Sequence, residues 1–132
     1  MIVDDTNVVA YLVIDGDHTQ HAEAVRSRDS DWRVPALFVH EWLNVVAVYL
    51  RRGIFERDEA VRVYRRGLAF VNIEPLASDA VTVFNLVEQS KCSSYDCQFV
   101  ALAQTRNAKL ITTDQQVLQA FPAMTEDLVL ST

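Results

Sequence analysis

Asp5, Glu41, Asp96 and Asp114 differ from the chain's other acids in the residues around them. Asp5 lies in the opening stretch "IVDDTN", in which two adjacent carboxylates follow an apolar start. Like charges side by side repel, so the pair implies something positive nearby. Glu41 is the only formally charged residue between Leu37 and Leu50, with His40 and Asn44 its polar company. Its neighbours three and four positions away on a helix are Leu37, Phe38, Asn44 and Val45, and none is a cation. On so apolar an element an ionised carboxylate costs roughly several kcal/mol unless it is paired, protonated or bound to a cation. Exposure on a narrow polar strip with Asn44 is the alternative.

Each remaining acid also has an ordinary structural explanation. Asp5 could cap a helix starting near Thr6, and Asp96 in "SSYDCQFVALA" would complement the helix dipole behind a Ser93 cap. Thr113 with Gln116 would make a capping box around Asp114. Brought together, four carboxylates with no lysine among them would raise one another's pKa, and a divalent cation would relieve that. Oxygen-only ligands favour Mg²⁺ or Mn²⁺ over zinc. His18, His21 and His40 offer no H-E-x-x-H spacing, and His18 and His21 are expected on an exposed helix start. Cys92 and Cys97, five apart, match neither a metal nor a redox spacing and are expected to be buried or half-buried free thiols.

Positioning these acids requires a particular alternation of elements. "MIVD", "WRVP", "FVNIEP", "KLITT" and "LVL" from Leu128 read as short strands. Between them lie helices over 37–51, stopped by Gly53, from Arg57 to Phe70, over 78–90, from Ser93, and over 115–120. The expected packing stripes are Val61, Tyr64 and Leu68, then Val81, Phe84, Leu86 and Val87, and then Tyr95, Phe99, Val100, Leu102 and Ala103. Strands separated by helices predict a three-layer α/β/α sandwich around a parallel sheet of four to five strands. Ligands of such sheets sit beyond the carboxyl ends of the strands, where Asp5 and Asp114 fall.

A length of 132 residues predicts one domain, 1–132, and half of its residues are hydrophobic. No apolar run reaches the roughly 18 residues of a membrane span, and acids stand where a secretory signal would carry Lys or Arg, so a cytoplasmic location is expected. The net charge of −6 opposes long-range attraction to nucleic acid. Yet six of the twelve cations, Arg51, Arg52, Arg57, Arg62, Arg65 and Arg66, fall in one stretch. They form either a solvated helix face or a basic rim for phosphate, a nucleic-acid-binding rim that would include Arg51 and Arg52.

"IVDDTNVVAYL", "HEWLNV", "SSYDCQFVALA" and "LITTDQQVL" together resemble, in order, the four acidic blocks of the PIN domain family, in particular its VapC-type toxin ribonucleases. The resemblance implies catalytic acids at Asp5, Glu41, Asp96 and Asp114, with Asp5, Asp96 and Asp114 holding one or two Mg²⁺ or Mn²⁺ ions. It implies that Asn7 braces the first acid and that Thr112 supplies a hydrogen-bonding hydroxyl. A homodimer and a cognate antitoxin are its implied partners, and RNA its substrate. Asp4 departs from the pattern and is expected to turn away from the site or to form an ion pair. Gln115, Gln116 and Val117 occupy ground where some members carry a further acid. The rival readings are a PIN fold that only binds RNA or protein, a phosphoacceptor receiver domain and a phosphatase of the haloacid dehalogenase type.

Overall fold

A computed structural model describes residues 1–131. The chain alternates strands and helices as β1 (Ile2–Asp4), α1 (Thr6–Val13), α2 (Thr19–Arg28), β2 (Trp32–Val34), α3 (Leu37–Arg51), α4 (Arg57–Ala69), β3 (Asn72–Ile73), α5 (Ala80–Glu88), α6 (Ser94–Arg106), β4 (Leu110–Thr112), α7 (Gln115–Ala120) and β5 (Thr125–Asp127). All strand pairs are parallel, in the order β3-β2-β1-β4-β5. The expected layered sandwich is therefore present, with α1 to α4 packed on one another and α5 against α6. A receiver domain would have the order 2-1-3-4-5, so that rival is excluded.

The strand order turns back at β1, whose neighbours are β2 and β4. At such a switch point the connections leave in opposite directions and open a crevice at the carboxyl ends of the strands. The register Asp4↔Ile111 sets the ends of β1 and β4 side by side, so Asp5 and the Thr112–Asp114 corner leave the sheet together. Val3, Trp32, Val34, Leu110 and Ile111 are buried in the centre of the core. This suits parallel strands covered on both faces, which read as apolar runs rather than alternating ones.

Helix α3 carries Phe38, Trp42 and Val46 into the core and stops where the sequence says it should. Gly53 has φ of 74°, its N–H bonds Leu50 O, and the Ile54 N–H bonds Tyr49 O at 3.1 Å. This is a Schellman ending, in which glycine avoids the Cβ penalty of the left-handed conformation. Trp42 fixes α3 to α4 by donating from Nε1 to Tyr64 O at 2.9 Å.

Several local expectations need correction. The last strand is Thr125–Asp127 and not the "LVL" from Leu128. Asp127 Oδ1 accepts from Val129 N at 2.9 Å, so the chain turns once Leu128 N has bonded Thr112 O. The third strand is shorter than "FVNIEP", covering only Asn72 and Ile73. Helix α5 buries Val83 and Leu86 and leaves Val81 and Phe84 exposed, because a helix so apolar has no single readable stripe. Val61 and Tyr95 are exposed as well, while Phe99, Val100, Leu102 and Ala103 are buried as expected. His18 and His21 flank the start of α2 but are half-buried. Cys92 and Cys97 are free and buried.

Gly67 faces the Trp42 indole so closely that an added Cβ would stand 2.4 Å from it. Alanine at a helix interior gains about 1 kcal/mol over glycine, but overpacking a fixed indole costs about 1–3 kcal/mol. Gly67→Ala is therefore expected to lower stability, by up to about 2 kcal/mol, in urea unfolding followed by tryptophan fluorescence.

Candidate active site

A cleft of about 260 Å³ opens at the switch point, and Asp5, Glu41, Asp96 and Asp114 all line it, with Thr6, Asn7 and Asn44. The four acids come from four places: the end of β1, the second turn of α3, the first turn of α6 and the start of α7. Asp5 occupies the capping position of α1 without making a side-chain cap bond. Its Oδ2 accepts instead from the Thr112 hydroxyl at 2.8 Å, across 107 residues of sequence. The same Thr112 oxygen accepts from Asp114 N at 3.1 Å, tying the two strand ends together.

Glu41 is half-buried, and its Oε1 accepts from the Thr6 hydroxyl at 2.7 Å. Asp114 itself caps α7, with Oδ1 accepting from Gln116 N at 2.9 Å and Val117 N at 3.3 Å, in place of the expected capping box from Thr113. Ser93 caps α6 as expected, accepting from Asp96 N at 3.1 Å. A carboxylate has two oxygens, and each resolved tether engages one: Oδ2 of Asp5, Oε1 of Glu41 and Oδ1 of Asp114. The groups are oriented without using up their capacity to accept.

Among the described residues none of the four acids forms an ion pair. Their electrostatics show the consequence. Burial raises the Asp5 carboxyl from 3.8 to about 6; the charges of Glu41 and Asp96 push the same way, while the Thr112 hydrogen bond opposes them. Asp96 is raised too, by burial first and by Asp114 among the charges, against its hydrogen bonding to Ser93.

Asp4 does not form the ion pair that was one expectation, and it does not line the cleft. Its side chain is buried, both oxygens lack a hydrogen-bond partner, and burial raises its pKa well above the ordinary range despite the charge of Arg26. Asn7 lines the cleft and is exposed, while Thr112 lies buried beneath it. Arg51 and Arg52 are exposed at the far end of α3, ten and eleven residues beyond Glu41, and are not among the lining residues. A helix rises about 1.5 Å per residue, so they stand roughly 15 Å away. The contact that sequence reasoning missed is Thr6 on Glu41; a hydroxyl immediately after Asp5, facing a chargeless helix, was its only signal.

The sequence pattern of the PIN domain family matches residues 2–122. The chain belongs to the PIN domain family. Ribonuclease VapC3 of Pyrobaculum aerophilum is 27% identical over 126 residues, covering 93% of this chain and 96% of that protein. The crystal structure of PAE2754 from the same organism superposes with a TM-score of 0.79 at 15% identity, covering 98% of this chain and 90% of that one. A toxin–antitoxin complex from Klebsiella pneumoniae gives a TM-score of 0.72 at 18% identity, covering 97% and 98%. At such identities the superpositions establish that the PIN fold is shared.

Asp5 gives this PIN domain a readable pH dependence. Its folded pKa of about 6 lies above the unfolded value near 3.8, so the native state holds the extra proton between them. The associated stabilisation is complete below the unfolded pKa and is lost as pH rises through about 6. Asp5→Asn is expected to raise metal-free stability at pH 8 by roughly 2 kcal/mol and to change it little at pH 4, checked by chemical denaturation at both pH values.

Proposed function

We propose that this PIN domain is a divalent-metal-dependent endoribonuclease, the toxin of a VapBC-type toxin–antitoxin pair, that hydrolyses phosphodiester bonds in single-stranded or loop RNA. The observation that carries this reading is the shared cleft: four carboxylates from four elements, with no ion-pairing cation among the described residues. A relative named as a ribonuclease and a structural neighbour solved as a toxin–antitoxin complex support the same reading.

The donor set fits a hard cation, since the side chains offer oxygen only, and Asp5 and Asp96 are each raised partly by the charge of other acids of the cleft. Asp5, Asp96 and Asp114 would hold Mg²⁺ or Mn²⁺. Bound there, the ion would supply Lewis-acid polarisation of the scissile phosphate and a lowered pKa for water. The chain's own contribution follows from its tethers. Thr112 orients Asp5, the α7 N–H groups orient Asp114, and Thr6 aims Glu41, which would accept the proton of the attacking water. Asn7 would brace the first acid from the rim of the cleft. In-line displacement then leaves 5′-phosphate and 3′-hydroxyl ends.

A PIN fold that binds without turnover is the second reading. One observation favours it: among the described residues no group of three His, Cys, Asp or Glu side chains is set to hold a metal ion. Mg²⁺ keeps several waters and needs only one or two direct carboxylates, so water-mediated holding remains compatible with the arrangement.

A cognate antitoxin and a second copy of the chain are the proposed partners. Between α3 and α4 runs an apolar groove of about 320 Å³, with Leu43, Val46, Leu50 and Tyr64 in its wall and Arg57 and Arg65 on it. That groove is the surface we assign to the antitoxin. The arginine cluster of α4 is exposed, as a solvated or contact face must be.

Cleavage of structured RNA with Mn²⁺ or Mg²⁺ is expected to yield 5′-phosphate ends, to stop in EDTA and to fall by about a hundredfold or more in Asp96→Asn. Unchanged cleavage in EDTA or in the variant rejects the proposal. Mn²⁺ binding by calorimetry with no cleavage of any RNA supports the binding-only reading.

A further inference from the structure

A second cavity, of about 350 Å³, adjoins the carboxylate cleft and shares Asn7 and Val45 with it. Its wall is of a different kind. Three rings line it, those of Tyr11, His18 and Tyr49, together with Asp15 and Asp17 from the turn between α1 and α2. The Tyr11 and His18 rings are 4.7 Å apart and tilted by 54°, and the Tyr49 ring stacks on Phe55 at 5.5 Å. These contacts, and the bond between Tyr11 Oη and Thr113 Oγ1 at 3.3 Å, hold two of the rings in place next to the Thr112–Asp114 corner. The His18 Nδ1 is buried and has no hydrogen-bond partner, although His18 lines the cavity.

We infer that this cavity is a base-binding subsite, which takes an unpaired, amino-bearing nucleobase next to the phosphodiester held in the carboxylate cleft. The inference rests on the ribonuclease reading and adds to it a determinant of specificity. Aromatic faces are what splayed-out RNA bases stack on, and base edges carry the sequence information that phosphate contacts lack. Asp15 and Asp17 bar the opposite assignment, because two exposed acids repel a phosphate and accept hydrogen bonds from N–H groups. An exocyclic amino group is the complementary donor, as in cytosine or adenine. Uracil has no amino group, and its one edge N–H is flanked by two carbonyl oxygens that the same acids repel, so it is disfavoured. Asn7 and Val45 line both cavities, which places them near enough for one strand to reach both.

The test separates this subsite from cleavage itself. Fluorescently labelled oligocytidylate, oligoadenylate and oligouridylate are titrated with the full chain by anisotropy, with Ca²⁺ in place of Mg²⁺, and cleavage of mixed-sequence RNA in Mn²⁺ is mapped separately. Oligocytidylate and oligoadenylate are expected to bind more tightly than oligouridylate. Tyr49→Leu is expected to weaken them about tenfold, within the range that loss of one base–aromatic stack produces. Tyr49→Phe is expected to retain binding, and Asp17→Asn to narrow the gap between cytosine and uracil while leaving the protein folded by circular dichroism. Equal binding of the three oligomers, no binding of any, or unchanged binding in Tyr49→Leu overturns the subsite. Cleavage without base preference rejects the subsite alone, whereas base-selective binding with no cleavage rejects the ribonuclease reading and keeps the subsite.

Discussion

The rest of the arrangement depends on electrostatic repulsion among carboxylates held partly out of water at the point where the sheet reverses its strand order. Asp5 leaves β1 just where the Thr112–Asp114 corner leaves β4, and the parallel pairing of those strands allows neither to withdraw. Burial and neighbouring charge together lift Asp5 to about 6, so bringing these like charges together carries an electrostatic cost. Strain of this kind is tolerated where the surrounding structure over-determines it, and it sits characteristically at functional sites.

What over-determines it here is a set of short hydroxyl side chains. Thr112 bonds both Asp5 and the Asp114 N–H, Thr6 bonds Glu41, and Ser93 fixes the first turn of α6 that carries Asp96. Thr6 and Thr112 are themselves buried, so their hydroxyls have few alternatives to these partners. Asp4 shows the contrast one residue away. Strand alternation turns it off the cleft, where neither of its oxygens finds a hydrogen-bond partner; both acids are raised by burial, but only Asp5 has a tether to oppose it.

The charge distribution gives the cleft its selectivity problem. A chain of net charge −6 with an acidic crevice repels a polyanion, and its exposed arginines are gathered on α3 and α4 and not at the cleft. A hard cation would reverse the sign of the cleft locally, and an aromatic cavity beside it offers contact that needs no positive charge. In the proposed reading, both features would let binding depend on the bases and on the ion and less on the global field.

Much of this was legible in the residues. The helix over 37–51, its glycine stop and the helix over 115–120 have the expected bounds, because caps and breakers act through the local backbone. Glu41 announced itself because a lone carboxylate on an apolar helix has no cheap explanation, and the order of the acidic blocks pointed to the PIN domain. The stripe of α5, the place of the last strand and the lack of a partner for Asp4 were not legible. Which side of a uniformly apolar helix is buried, where an aspartate turn ends a strand and whether a carboxylate meets a donor are set by neighbours distant in sequence. Sequence alone determined which residues could carry charge and where the backbone must start and stop. Tertiary structure decided which charges share one cleft, since the bond from Thr112 to Asp5 spans 107 residues and exists only once β1 and β4 pair.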